Sequence, residues 1–402
     1  MTMKSPSRHT EQELKRELGV LLSQDPNVAS RRMCEEYDRL AGKRGESIVL
    51  FGAGPLGRTA LKGLRCAGIE PKAFVDNNAA LWNTTVNGVC VLPPDEAARR
   101  FGRQCAFVVT IYHGRAVREQ LRSLGCSTVI PFDCLFFKYS GLFLPYCCLD
   151  LPDAIFAQTD LVEEAFDLWA DEQSRTEYVA QLKYRTSLES RWTQEHYPAE
   201  DTYFPNGLGH LSQDGVFVDC GAFDGDSLQE FLKRCGGGLQ RAIAIEPDPR
   251  TFLRLQEYLR SLPLETQARI FALNVALGRT GHTVSFHASG TVVSRVAGGA
   301  GATQVRCENL DRLLDGCARP YIKMDIEGAE LEALDGTKQT LATGSATLAI
   351  CAYHALDHLW RIPLAFEELS RSRSDLYLRR NAEDCWENVC HAIPKGVGRK
   401  GS

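Results

Sequence analysis

The chain has 402 residues, with 46 Lys and Arg against 51 Asp and Glu, a formal charge of −5, and 44% apolar and 24% charged residues. That mix excludes a disordered chain and a nucleic-acid binder working through bulk basicity. At roughly 150 residues per domain it allows two or three domains. The 15 cysteines show no C-x-x-C pair and no zinc-ligand spacing. Several sit in apolar runs, such as Cys220 and Cys351, and read as reduced, buried thiols.

The first residues, through Leu18, lack the apolar core of a secretory signal. The longest apolar-rich stretch, Leu135–Leu149, is broken by Lys138, Gly141 and Pro145 and is too short to span a bilayer. The expectation is a cytoplasmic protein with no membrane span. In it 135–149 forms an interdomain core in preference to the surface of a possible homodimer.

Residues 1–45 are expected to form a helical lead-in. Leu14, Leu18, Leu21 and Leu22 share one helical face, and Met33, Tyr37 and Leu40 share another after the Asp25-Pro26-Asn27 break. From Ser47 the pattern becomes strand and helix in alternation. Strands are predicted at 48–51, 73–76, 106–110 and 128–130, with helices from Gly57 to Ala67 and over 95–101 and 115–124. This is a Rossmann-like α/β domain, assigned to 46–139. Residues 140–200 read as a helical connector, with helices over 161–169 and 178–192, charged on one face. A second alternation fills 201–402, with strands at 216–219, 242–245, 270–275, 321–324 and 347–351. Two more, 376–378 and 388–393, leave no room for a helix between them. Five strand–helix steps closed by a hairpin suit a class I methyltransferase fold, a mostly parallel seven-stranded sheet with one antiparallel closing strand. A plain dinucleotide-binding fold ends on parallel strands.

Two glycine loops join strands to helices. The first, Gly52-x-Gly54-x-x-Gly57, precedes Asp76 at the end of the next strand. Glycines there permit a tight turn and close approach to a diphosphate at a helix N-terminus, and the acid suits ribose hydroxyls. Nucleotide or nucleotide-sugar binding and a plain scaffold both fit. The second loop runs Asp219-Cys220-Gly221-Ala222-Phe223-Asp224-Gly225. Its spacing brings backbone close to a ligand without demanding a diphosphate, as S-adenosylmethionine would allow. Glu246, ending the second strand, stands where ribose hydroxyls would be gripped, and Asn274, ending the third, suits an adenine edge. These residues gather at the carboxyl ends of parallel strands, where open α/β sheets bind ligands.

Residues 201–395 resemble the FkbM family of S-adenosylmethionine-dependent methyltransferases. The resemblance rests on 217–225, on Ile245-Glu246-Pro247-Asp248, and on Tyr321-Ile322-Lys323-Met324-Asp325-Ile326-Glu327-Gly328-Ala329-Glu330. It extends to 353–363 and Leu376-Tyr377-Leu378-Arg379. The leading domain is similar to the nucleotide-sugar-binding domain of some sugar acyltransferases. Tyr203-Phe204-Pro205 fits that two-part arrangement. The resemblance implies O-methyl transfer to a hydroxyl of a sugar, glycoconjugate or related small molecule. S-adenosylmethionine would be held by Asp219, Gly221, Ala222, Phe223, Asp224, Gly225, Glu246, Asn274 and Asp325.

For catalysis, Asp325 and Glu327 lie at the end of the fourth strand, on one face if that strand continues. Glu330 follows on the first helical turn, and His354 ends the fifth strand. His354 is the expected general base, with Asp325 and Glu327 orienting substrate or cofactor. In an alternative mechanism the three hold a divalent metal such as Mg²⁺ or Mn²⁺. A structural alternative has Glu327 capping the helix that begins at Gly328. His282 and His287 fall in an alternating segment read as a hairpin strand, and Ser294–Ala302, with Arg295, reads as a surface loop. Arg379 and Arg380 read as a solvated basic edge, or as a partner for an anionic substrate. Two other functions compete. One is an NAD-dependent oxidoreductase of nucleotide sugars working at Gly52–Gly57, although no Tyr-x-x-x-Lys pair follows that loop. The other is a non-catalytic nucleotide-sugar-binding module.

Overall fold

The computed structural model describes residues 10–193, 202–208, 215–235, 239–279, 283–287, 295–296, 303–381 and 385–396. Two helices lead: α1 (Glu11–Leu22) and α2 (Pro26–Ala41). Thr10 and Glu13 cap α1 reciprocally, and Asp25 caps α2 ahead of Pro26. The predicted stripe of α1 is buried at Leu14, Leu18 and Leu21. On α2, Met33 and Tyr37 are buried, but Leu40 is exposed and Ala29 and Ala41 complete the inner face instead.

The first α/β unit contains β1 (Ile48–Phe51), α3 (Pro55–Cys66), β2 (Ala73–Val75), β3 (Thr85–Val86), β4 (Val89–Leu92), α4 (Pro94–Phe101), β5 (Ala106–Val109), α5 (Arg115–Ser123) and β6 (Val129–Pro131). Its sheet order is β3-β4-β2-β1-β5-β6, six strands where four are predicted. The additional pair is a hairpin turned at Asn87 (φ +51°) and Gly88 (φ +83°), a two-residue turn whose Asn-Gly sequence is a strong hairpin signal. Alternate side chains of β1 enter opposite layers: Ile48 and Leu50 one core, Val49 and Phe51 the other.

The connector holds α6 (Phe132–Lys138), α7 (Ser140–Phe143), α8 (Asp153–Ala157), α9 (Thr159–Leu168) and α10 (Glu172–Ser187). Helix α10 starts six residues before its predicted first residue, with Asp171 accepting from Ser174 N at its N-terminus. Its expected charged face is buried at Gln181, Arg185 and Ser187, because both of its sides are packed. Tyr178, Val179 and Leu182 enter the core of the second unit, while Tyr184 joins the core of the first. The apolar stretch 135–149 is interdomain core, as expected: Leu135, Phe136 and Cys148 share a cluster with Cys385 and Trp386 of the second unit.

The second unit begins with β7 (Val216–Cys220), α11 (Asp226–Arg234), β8 (Arg241–Ile245), α12 (Pro249–Ser261), α13 (Leu264–Gln267) and β9 (Ile270–Leu273). Then follow β10 (Ala276–Leu277), β11 (Thr283–His287), β12 (Arg295–Val296), β13 (Thr303–Glu308) and α14 (Leu310–Leu313). It ends with β14 (Tyr321–Met324), α15 (Glu330–Asp335), α16 (Lys338–Ala342), β15 (Thr347–Cys351), α17 (His358–Ser370), β16 (Ser374–Arg380) and β17 (Asn388–Pro394). The main sheet runs β16-β17-β15-β14-β7-β8-β9. Only β17 is antiparallel to its neighbours β15 and β16, so the fold is the mostly parallel seven-stranded sheet expected. Val218 and Ile322 face one core, Phe217 and Tyr321 the other, as a parallel sheet covered on both faces requires.

Strand β11 belongs to a separate sheet, ordered β10-β13-β11-β12. Arg295 opens β12. His282, Ser294 and 297–302 lie outside the described residues. Arg379 and Arg380 form no solvated edge and do not line the main cavity. They are 5% and 1% exposed, and each bonds a carboxylate of the connector at 2.6 Å, Asp171 and Glu177 respectively. Strand β16 is thereby tied to α10, and burial of these guanidiniums is tolerated because each is paired.

Candidate active site

At the carboxyl edge of the second sheet lies a cavity of about 460 Å³. The turn from β7 to α11 forms one wall. Gly221 has φ +80°, and a Cβ there would sit 1.8 Å from the Asp325 carbonyl oxygen, so the two strand ends approach as closely as they do only over glycine. The amides of Gly221 and Ala222 both donate to the Ile245 carbonyl at 2.9 Å, pinning this turn to the end of β8. Glu246 follows β8. Its two carboxylate oxygens accept from Phe223 N at 3.0 Å and Asp248 N at 2.8 Å, which leaves each oxygen further accepting capacity, and the residue lines the cavity. Burial pushes its carboxyl up to about 7, against the pull of those two amide bonds. Asn274 spends its amide group on the Glu246 and Pro247 carbonyls at 2.8 and 3.1 Å, which fixes this corner.

Strand β14 does not continue to Glu327. It ends at Met324, and Asp325 and Glu327 reach the cavity from the turn beyond, where Glu327 has φ +56°. Glu327 caps no helix, since α15 begins at Glu330 with no side-chain cap. Glu330 itself accepts from Ile326 N at 3.0 Å. His354 lies three residues past β15, buried. Its Nε2 is 3.2 Å from Asp325 Oδ1 and 3.9 Å from Glu327 Oε2, and its Nδ1 is 2.7 Å from Glu330 Oε1. Tyr203 donates to Asp325 Oδ2 at 2.8 Å.

The charges of this cluster are mutually arranged. Burial opposes a charge on His354, but Glu330 and then Asp325 raise its pKa well above that of free imidazole. Burial would lift Asp325, yet the bond to His354 and the charge of Lys323 hold it far below the ordinary carboxylate range. Glu327 goes the other way: burial pushes it up to about 8, and the charge of His354 only partly opposes this. Lys323 lies beneath, bonded to the Gly221 carbonyl at 2.6 Å and to Asp219 at 3.1 Å. Burial disfavours its charge, but Asp219 and then Asp325 keep it protonated.

Of the residues singled out in the sequence, Gly221, Phe223, Glu246, Asp325, Glu327 and His354 line the cavity. Asp219, Ala222, Asp224, Gly225 and Asn274 do not line it. Asp219 is fully buried, accepting from Ser227 Oγ at 2.7 Å, and Gly225 gives room to the Tyr258 ring. Sequence reasoning assigned no role to Tyr203, Lys323 or Tyr353, nor to Tyr112, His113, Trp386 and Glu387, all of which line the cavity.

The residues of the first glycine loop, Gly52, Gly54 and Gly57, and Asp76 do not line this cavity. Gly52 has φ +107°, and a Cβ on Gly57 would lie 1.8 Å from the Gly52 carbonyl oxygen, so both glycines are required by the turn and by strand–helix packing. Asp76 accepts from Ala53 N at 2.9 Å and Asn78 N at 2.8 Å, which engages its carboxylate with the loop's own backbone.

Three donor groups, from Asp325, Glu327 and His354, lie within 4.8 Å of one another and have the chemistry of a site for an oxygen-preferring divalent cation.

Residues 219–362 match the family model of the methyltransferase FkbM domain. The chain is similar to the crystal structure of methyltransferase FkbM from Methylobacillus flagellatus KT. The two are 22% identical, with a TM-score of 0.72 over 96% of this chain and 100% of that one. Looser similarities reach precorrin-6y C5,15-methyltransferase from Geobacter metallireducens GS-15, at 17% identity, 46% and 81% coverage and a TM-score of 0.28. Another reaches the SAH-bound methyltransferase PaMTH1 of Podospora anserina, at 9% identity, 59% and 87% coverage and a TM-score of 0.26. No curated protein matches this sequence.

Proposed function

From a chain whose residues 219–362 match the family model of the methyltransferase FkbM domain, we propose an S-adenosylmethionine-dependent O-methyltransferase that acts on a hydroxyl of a sugar, glycoconjugate or related small molecule. The observation that carries this reading is one continuous cavity holding two different chemistries. Glu246 accepts from the backbone of a glycine turn with no room for a side chain, and beyond that turn Asp325, Glu327 and His354 converge.

The residues present fit the cofactor. Glu246 offers a lone pair on each oxygen to a pair of ribose hydroxyls, Ile245, Val275 and Leu277 offer an apolar bed for a base, and the Gly221 turn admits close approach of backbone. When bound, S-adenosylmethionine supplies a sulfonium-activated methyl group that passes to the acceptor oxygen as the carbon–sulfur bond breaks and its electron pair stays on sulfur. The protein holds the reacting atoms in line and receives the acceptor's proton. The expectation from sequence placed that proton on His354. The surrounding carboxylates keep this imidazole charged, so we assign proton acceptance to Glu327, whose raised pKa matches the task. His354 then serves as its charged, buried neighbour, oriented by Glu330.

A second reading places a divalent metal on Asp325, Glu327 and His354. It is favoured by their convergence and by the Glu330 bond to Nδ1, since metal-bound imidazoles are usually oriented by a carboxylate on the other nitrogen. Such a cation would make the acceptor hydroxyl more acidic. Turnover that survives EDTA refutes the metal; turnover lost to EDTA and restored by Mg²⁺ or Mn²⁺ supports it.

The proposal is tested by thermal shift with S-adenosylmethionine, S-adenosylhomocysteine, NAD(H) and UDP-sugars. A ligand at 100 times its Kd stabilises the native state by about 2.7 kcal/mol. Stabilisation by both adenosyl compounds is expected. A response to NAD(H) alone would favour an oxidoreductase, and a response to UDP-sugars alone a nucleotide-sugar-binding module.

A further inference from the structure

The cavity is not built by the methyltransferase domain alone. Ile111, Tyr112 and His113, from the loop between β5 and α5, form its outer wall together with Cys147 of the connector and with Trp386 and Glu387 just before β17. Tyr112 stands edge-on to Trp386 with ring centroids 5.0 Å apart, and its hydroxyl bonds that of Tyr146. His113 Nε2 reaches Glu387 Oε1 across the two units at 3.3 Å, with 55% of the His113 side chain exposed. This wall adjoins Glu327 and His354: the charge of Glu327 acts on Tyr112, and Tyr353, packed in one cluster with Trp386, stands 4.3 Å from the His354 ring.

Carboxylates outnumber cations in that half of the cavity. Asp325, Glu327 and Glu387 line it. Among the described residues its one lysine or arginine is Lys323, whose side chain is 3% exposed and paired with Asp219. A phosphate or carboxylate placed here would meet the carboxylates of Asp325 and Glu387, and the charged imidazole of His354 is already engaged by Asp325 and Glu330, whereas an uncharged ring would meet aromatic faces and the hydrogen-bonding groups of His113 and Glu387.

We propose that this outer wall is the acceptor subsite. The leading α/β unit supplies part of it through Tyr112 and His113, and it admits an uncharged, hydroxyl-bearing ring while rejecting phosphorylated or nucleotide-linked forms of the same ring. The inference rests on the methyltransferase reading for the identity of the other half of the cavity. It turns the leading unit from an attached module into a determinant of specificity, and it assigns that role to a loop at the end of β5 and not to Gly52–Gly57.

The test uses the full chain saturated with S-adenosylhomocysteine. Saturation-transfer difference NMR is recorded with methyl α-D-glucopyranoside, methyl α-D-mannopyranoside, glucose 1-phosphate and UDP-glucose. At least one neutral glycoside is expected to bind, about tenfold or more tightly than either phosphorylated probe. His113→Ala and Tyr112→Phe should weaken that binding about fivefold or more without changing the S-adenosylhomocysteine Kd. Both substitutions spare the packed ring positions and should fold. Tighter binding of glucose 1-phosphate or UDP-glucose, absence of neutral-glycoside binding, or indifference to both substitutions would overturn the subsite while the cofactor reading stands. Failure to bind S-adenosylhomocysteine would overturn the cofactor reading and this inference with it.

Discussion

His354 Nδ1 lies 2.7 Å from Glu330 Oε1, and the second oxygen of the same carboxylate is 3.3 Å from His358 Nδ1. Glu330 opens α15 and is fully buried, so one carboxylate from the helix after the fourth parallel strand sets the orientation of a histidine just past the end of the fifth. Glu330→Gln keeps the shape and removes the charge. Removing one partner of a buried pair costs about 3–5 kcal/mol, so a marked fall in Tm is expected. The kcat should drop by about 10–100-fold, with the S-adenosylhomocysteine Kd unchanged because Glu246 and Gly221 are untouched. Equal losses in kcat and in cofactor affinity would mean that Glu330 serves only the fold.

Glu327→Gln leaves the turn in place and removes the proton acceptor. Its kcat should fall by about 10²–10⁴-fold, with cofactor affinity retained. Asp325→Asn removes the partner of both Tyr203 and His354 and should lose cofactor affinity as well as turnover. Wild-type turnover by Glu327→Gln would remove this residue from the mechanism.

Glu246 predicts a pH dependence of cofactor binding. Burial holds its carboxyl up, at about 7, and the ionised form has the lone pairs that accept from ribose hydroxyls. Below about pH 7 the group is protonated and affinity falls, by at most about tenfold per pH unit. Above that it is ionised and affinity levels off. Titration calorimetry from pH 5.5 to 8.5 checks this. Glu246→Gln should bind weakly at every pH, with the slope gone, and a slope that persists in this variant would assign the titration to another group.

Gly221→Ala should be the most damaging single methyl in the site. It adds a Cβ 1.8 Å from the Asp325 carbonyl at a residue with φ +80°, and a loss of about 3 kcal/mol or more is expected from strain and displacement together. Gly54→Ala in the first loop, where a Cβ would meet nothing within 4 Å, should leave Tm nearly unchanged. Equal effects of the two substitutions would show that the Gly221 turn yields more than its packing allows.

Much of the second unit was legible because a buried parallel sheet writes itself as short apolar runs, and Glu246, Asp325 and His354 stand just past the ends of three of them. The leading unit was read less fully. The Asn87-Gly88 turn was there to be read, but its flanking strands have two and four residues, too short for an alternation to stand out. The charges on α10 misled because their partners are remote in sequence: buried Arg185 donates to the Leu356 carbonyl at 2.8 Å, and Glu177 pairs with Arg380. Tyr112, His113, Trp386 and Glu387 carry no local pattern at all. They meet only once the two units pack together across 135–149, and no spacing along the chain encodes that.

The central claim is that this cavity binds S-adenosylmethionine through Glu246 beside the Gly221 turn. Isothermal titration of the full chain with S-adenosylhomocysteine at pH 8, alongside Glu246→Ala, tests it most directly. The account predicts a single site per chain in the wild type and loss of affinity by about tenfold or more in the variant. No measurable binding to the wild type, or equal binding by both proteins, would contradict it.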